Sequence, residues 1–185
     1  IYLDENATAA LSPETIRIMT TWLNAPPTNA SSVHQWGRRG RGIIEQSRRQ
    51  VAQSLSVSPR HLTFTSGATE ALHTVICGVL SPGDHVLVSA VEHPATWGAL
   101  KCVGAHIEIV PVDQWGHINP DEFKARLKPH TKLGVMMAAQ NEIGVTYPTY
   151  EVAQVLGDIP LLVDAAQAYG KTSLKLDETG ATYAV

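Results

Sequence analysis

Apolar positions follow a helical spacing over the first third of this chain and then switch repeatedly between strand-like and helix-like spacing. Ser12-Pro13-Glu14 predicts a helix start, with Ser12 as N-cap, Pro13 at the first helical position and Ile16, Met19 and Leu23 as the apolar stripe. Residues 24–33, with Pro26 and Pro27, read as irregular. A helix over about 36–55 follows, with Ile43, Ile44 and Val51 on one side and Arg38, Arg39, Arg48 and Arg49 as a solvated face. From Arg60 onward, strands are predicted at 61–65, 85–89, 106–112, 133–138 and 160–164. Helices fall between them at 69–79, 94–101, 120–127 and 149–156. This order predicts an α/β fold: a doubly wound, mostly parallel sheet with helices on both faces and no boundary inside the chain.

Composition narrows the classes. With 185 residues, 44% hydrophobic and 17% charged, the chain has the make-up of one folded domain or part of one. A net charge of -3 gives no bulk attraction to nucleic acid or to an anionic membrane, so any phosphate must be held locally. No apolar run reaches the length of a membrane span. Cys77 and Cys102 stand in apolar stretches without metal-motif spacing, and are expected to be reduced, buried structural thiols. A cytoplasmic location follows from that expectation.

In such sheets ligands gather at the carboxyl ends of the strands, and the loops there have unusual composition. Thr65-Ser-Gly-Ala-Thr-Glu70 is a small-residue turn opening a helix. It suits a phosphate at the helix N-terminus through the backbone at Gly67 and the hydroxyls of Ser66 and Thr69, and equally suits a simple helix cap. It is not a Walker loop, because no Gly-Lys-Ser/Thr follows. His93 stands where a ring can stack or move protons, or merely cap a helix. Asn141 can orient a carboxylate or form a turn. Asp164 ends an apolar strand, where a carboxylate needs a cation or hydrogen bonds. Together these describe a site for a phosphorylated heteroaromatic cofactor. Pyridoxal phosphate fits best, since its pyridine nitrogen needs a carboxylate to stay protonated.

The same residues resemble the cysteine desulfurases of the NifS/IscS group, fold-type I pyridoxal-phosphate enzymes of the class-V aminotransferase family. Residues 1–8 resemble the family's YLDNNATT, and Asn29-Ala-Ser-Ser-Val-His34 with Gly37-Arg38 resembles NPSSxHxxGR. Thr65-Ser-Gly-Ala-Thr-Glu-Ala71, Glu92-His93-Pro94-Ala95, Asn141-Glu-Ile-Gly144 and Asp164-Ala-Ala-Gln167 with Gly170-Lys171 match TSGATEA, EHPA, NEIG and DAAQxxGK in order. The resemblance implies that Ala68 and Thr69 hold the cofactor phosphate, and that His93 stacks on the pyridine ring and assists proton transfer. By the same resemblance Asp164 pairs with the ring nitrogen, Gln167 bonds the phenolic oxygen, and Asn141 lies near that oxygen and the substrate carboxylate. No metal is implied.

The implied reaction converts L-cysteine to L-alanine and leaves the sulfur on an enzyme cysteine as a persulfide. A homodimer and a sulfur-accepting or iron–sulfur scaffold protein are the implied partners. Running from Ile1 to Val185, the chain is expected to hold an N-terminal segment and most of the large cofactor-binding domain, without the small C-terminal domain. The family's Schiff-base lysine, catalytic cysteine and carboxylate-binding arginine are expected beyond Val185, so this chain alone is expected to be inactive; Lys171 and Lys175 are not expected to substitute. Ala9 and the Leu72-His73 pair depart from the family pattern. The alternatives are a non-catalytic interaction module and a related pyridoxal-phosphate lyase or transaminase.

Overall fold

The computed structural model describes residues 1–2 and 4–185; Leu3, in the opening motif, lies outside the described residues. Where the sequence predicts no internal boundary, the chain forms two compact units, Ile1–Leu62 and Thr63–Val185.

In the first unit, helix α1 spans Pro13–Leu23, and the Ser12 hydroxyl accepts the Thr15 N–H at its start, as the sequence predicts. Its apolar stripe, Ile16, Met19 and Leu23, is exposed rather than buried. Helix α2 spans Gln35–Ser54, and its buried residues are Gly37, Gly40 and Ala52, while Ile43 and Val51 are half-buried and Ile44 is exposed. Small residues win that face because backbone presses on it. A Cβ on Gly37 would sit 2.1 Å from the Ser32 carbonyl oxygen.

The arginines of α2 also differ from a merely solvated face. Arg39 lies 5.4 Å from the Trp22 ring and 5.7 Å from Trp36. Arg41 donates twice to the Ala30 carbonyl, and Arg48 donates to the Leu62 carbonyl. Two substitutions separate crowding from helix propensity. Gly37→Ala is expected to destabilise by about 1–3 kcal/mol through overpacking. Gly42→Ala, with nothing within 4 Å of the new Cβ, is expected to stabilise by up to about 1 kcal/mol. Thermal melts of the two variants check both signs.

The second unit is built on a five-stranded, all-parallel sheet in the order β2-β1-β3-β4-β5. The strands are β1 His85–Ser89, β2 His106–Val110, β3 Thr131–Met137, β4 Leu161–Asp164 and β5 Tyr183–Ala184. The helices are α3 Ala68–Val79, α4 Pro94–Val103, α5 Pro120–Arg126 and α6 Thr149–Leu156. Right-handed crossovers dictate where each helix lies. The β1-α4-β2 unit runs toward one edge of the sheet. The β2-α5-β3 and β3-α6-β4 units run the other way, so α5 and α6 cover the opposite face.

The core divides accordingly. Val86, Val88, Leu133, Val135 and Leu162 pack with Leu72, Ile76, Ala99 and Leu100 of α3 and α4. Leu87, Met136, Leu161 and Val163 pack with Phe123, Val152 and Leu156 of α5 and α6. Alternate strand residues therefore feed opposite faces, as the period of two demands.

Two expectations about elements fail. The predicted strand at 61–65 is a short 3₁₀ turn, Pro59–His61, followed by residues without a ladder partner, although Leu62 is extended. Its alternating pattern sets an extended backbone, but a strand also needs a neighbour. Conversely, β5 is too short to leave a periodic signal and exists only by pairing Tyr183 and Ala184 with Leu162 and Val163. The buried-thiol expectation fails too, since Cys77 and Cys102 are both exposed. Cys77 is one residue past buried Ile76 and Cys102 two past buried Leu100, which turns each about 100° or 200° away from the sheet-facing side.

Candidate functional site

The strand order reverses between β1 and β3, because β2 continues to one side of β1 and β3 lies on the other. Crevices at such a switch point receive ligands at the carboxyl ends of the strands. The residues singled out from the sequence fall at this end, just beyond Ser89, Met137 and Asp164, and at the start of α3.

His93 is the N-cap of α4, with its Nδ1 accepting the Ala95 N–H at 3.1 Å. The capping reading of this histidine is realised, and a ring that caps through Nδ1 keeps Nε2 as its other polar atom. The ring is exposed. Asp164, the last residue of β4, is only 2% exposed, and its Oδ1 accepts one backbone bond, from Ala166 N–H at 3.0 Å. Burial pushes its carboxyl upward, while that hydrogen bond and the facing His93 oppose the shift. His93 and Asp164 therefore act on one another electrostatically.

Helix α3 opens differently. Its N-cap, Gly67, is extended and supplies no side-chain cap. The Ser66 N–H donates to the Glu70 carboxylate at 2.6 Å, and that carboxylate is held below its usual range by Ser66. Ser66 is thereby taken up within the turn, which leaves Ala68 and Thr69 as the remaining candidate anion donors at this helix start. A Cβ built on Gly67 would meet nothing within 4 Å, so the helix N-terminus opens on unfilled space. Thr65 Oγ1 donates to the Gly67 carbonyl at 3.1 Å and fixes the turn.

Asn141 is half-buried in a tight loop after β3. That loop is closed by Gly144 N–H to Gln140 O at 3.1 Å and by Gln140 N–H to Val145 O at 2.9 Å, with Gly144 at a φ of 70°. Gln167 is half-buried beyond β4, and the Lys171 ammonium donates to its Oε1.

This architecture has a family. A model described as aminotransferase class-V matches residues 1–185. The chain belongs to the aminotransferase class-V family. It is 36% identical over 181 residues to a NifS/IcsS protein homolog of Lactobacillus delbrueckii subsp. bulgaricus, covering 92% of this chain and 47% of that protein. Similarity to the cysteine desulfurase IscS of Dictyoglomus turgidum is 35% over 189 aligned positions, covering 97% of this chain and 48% of the relative. Among solved structures, a NifS-like protein superposes with a TM-score of 0.92 at 29% identity, over 100% of this chain and 53% of its own. The chain spans about half the length of the curated relatives it matches.

One residue of this class-V site was not singled out from the sequence. Glu92 is 7% exposed, and its Oε1 accepts the Ser89 hydroxyl at 2.5 Å and the Met137 N–H at 2.8 Å. It thus ties the carboxyl ends of β1 and β3 together across the switch point. Its carbonyl also accepts the Trp97 indole N–H at 3.1 Å. Burial first, and the facing Asp164 carboxylate after it, push Glu92 up to about 8. The other carboxyl oxygen, Oε2, has no hydrogen-bond partner, which favours the protonated acid. The signal was present in the sequence: a carboxylate just after an apolar strand, the same pattern that marked Asp164.

Proposed function

We propose that these residues are the cofactor-binding part of a pyridoxal-phosphate-dependent cysteine desulfurase. The observation that carries the proposal is Asp164, a buried carboxylate at a strand's carboxyl end that interacts with His93 and accepts the Ala166 N–H. Such a group is suited to a cationic partner, and a protonated pyridine nitrogen is one. The uncapped start of α3 is suited to a phosphate in the same way, with Ala68 and Thr69 as donors.

When bound, pyridoxal phosphate supplies an electron sink for carbanion chemistry on an amino acid. The chain's own residues do the rest. Asp164 keeps a proton on the ring nitrogen. His93 stacks on the ring and moves protons through the nitrogen that does not cap α4. Gln167 donates its amide to the phenolic oxygen, and Asn141 orients that oxygen and the substrate carboxylate. Glu92 sits behind this set as a positioning residue.

L-cysteine as substrate is supported by the name of the Dictyoglomus relative, a cysteine desulfurase. The net change is loss of sulfur from cysteine to a thiol, leaving alanine and a persulfide. A homodimer, delivery of sulfur to an iron–sulfur scaffold and a cytoplasmic location accompany this reading. Among the described residues no helix is long and apolar enough to cross a membrane. The test is to supply the full-length protein with pyridoxal phosphate, L-cysteine and a reductant, and to measure alanine and sulfide. Equal yields of the two are expected. Formation of a keto acid, or no alanine at all, overturns the assignment.

A further inference from the structure

Cys77 and Cys102 are exposed thiols on neighbouring helices, and the sequence spacing that made them look unrelated hides how close they lie. His73 and Cys77 are four residues apart on α3, which puts them on one face, a turn apart. Leu72 and Ile76 fill the sheet-facing side of that helix and leave His73 and Cys77 on its flank. Helix α4 packs directly against α3 and carries Cys102 in its last turn. One ligand atom from each of His73, Cys77 and Cys102 lies within 4.8 Å of the other two. Gly98 of α4 lies beside the His73 ring, close enough that a Cβ there would come within 3.9 Å of Nε2.

We infer that His73, Cys77 and Cys102 form a binding site for a thiophilic metal ion, with Zn²⁺ the ion best matched, that clips α3 to α4. Tetrahedral zinc with two thiolates and an imidazole requires ligand atoms about 3.5–3.8 Å apart, set by metal–ligand bonds of about 2.3 and 2.0–2.1 Å. Closing from separations of at most 4.8 Å to that value is a matter of side-chain rotation on exposed or half-buried residues. Two thiolates and one imidazole select zinc over the hard cations Mg²⁺ and Ca²⁺, which prefer oxygen. The exposure of both cysteines leaves the fourth position to water. Binding replaces two S–H protons by the metal, so Zn²⁺ and two thiols give a neutral zinc dithiolate and two protons. The clip joins the two helices that begin at Ala68 and just after His93, but the site stands on its own ligands and not on the proposed activity.

The test uses the full-length protein, reduced and kept anaerobic, titrated with Co²⁺ as a spectroscopic stand-in for zinc. A thiolate-to-cobalt charge-transfer band and tetrahedral d–d bands are expected to saturate at one equivalent per chain above any signal from other cysteines. Cys77→Ser and Cys102→Ser are each expected to abolish that increment, and His73→Gln to lose its tetrahedral d–d intensity. Zn²⁺ at about 100 times its dissociation constant is expected to raise the Tm of the full-length protein by about 3–5 °C, and Cys77→Ser to remove the shift. Circular dichroism of each variant establishes that the fold is retained; should a serine variant unfold, the alanine variant at the same position takes its place. Absence of the charge-transfer band, a band indifferent to Cys77 and Cys102, or a Cys77–Cys102 disulfide persisting in the reduced protein would overturn the inference.

Discussion

Glu92→Gln is expected to make the protein more stable than wild type at pH 8 and to flatten a fall in stability that wild type shows between about pH 4.5 and 8. The glutamate carboxyl rises from 4.5 in the unfolded chain to about 8 in the folded one, because burial and the Asp164 carboxylate both disfavour its charge. Within that window the folded state holds a proton that the unfolded state has released. Stability therefore decreases as pH rises, by about 1.4 kcal/mol per pH unit and on the order of 5 kcal/mol in all. Below the window both states are protonated and the full stability is present; above it both are ionised and the slope from this group ends. Glutamine keeps an oxygen to accept the Ser89 hydroxyl and the Met137 N–H but has no charge to desolvate. Denaturant melts across pH 4–9 decide the matter, and parallel curves for the two proteins would show that Glu92 does not carry the slope.

Asp164→Asn is expected to separate stability from activity. Its carboxyl is also raised by burial, so a neutral amide that still accepts the Ala166 N–H relieves the fold of a charge. The cofactor-free variant is expected to melt higher than wild type at pH 8, with the difference shrinking as pH falls through the raised range of this carboxyl and the aspartate takes up its proton. Alanine formation by the full-length protein is expected to fall on the order of 10²–10³-fold, the scale seen when one electrostatic contact to developing charge is removed. A fall of less than about ten-fold would take Asp164 out of the role proposed for it. A lower melting temperature without cofactor would mean that the carboxylate is compensated within the fold itself. Trading stability for a poised buried charge is common at active sites.

Much of the site was legible because it depends on short-range pattern. An apolar run ending in Asp164, a small-residue turn before a helix at Ala68 and Thr69, and His93 just before Pro94 each mark a strand end or a helix start within a few residues. Element boundaries agree to a few residues for the same reason. Glu92 was passed over because its importance lies in its reach to Met137, 45 residues away on the neighbouring strand. The segment at 61–65 misled because an alternating pattern reports an extended backbone, not the presence of a strand beside it.

Local order along the chain determined the α/β class, the sites of helix initiation, the loops that carry the candidate chemistry and the resemblance that the family match bears out. Tertiary structure alone decided the strand order β2-β1-β3-β4-β5, the existence of β5, the ionisation of Glu92 and the meeting of His73, Cys77 and Cys102. The physical reason is the range of the forces involved. Hydrophobic period and capping act over one or two turns of chain, whereas desolvation, ladder pairing and metal-ligand geometry depend on atoms that only folding brings together.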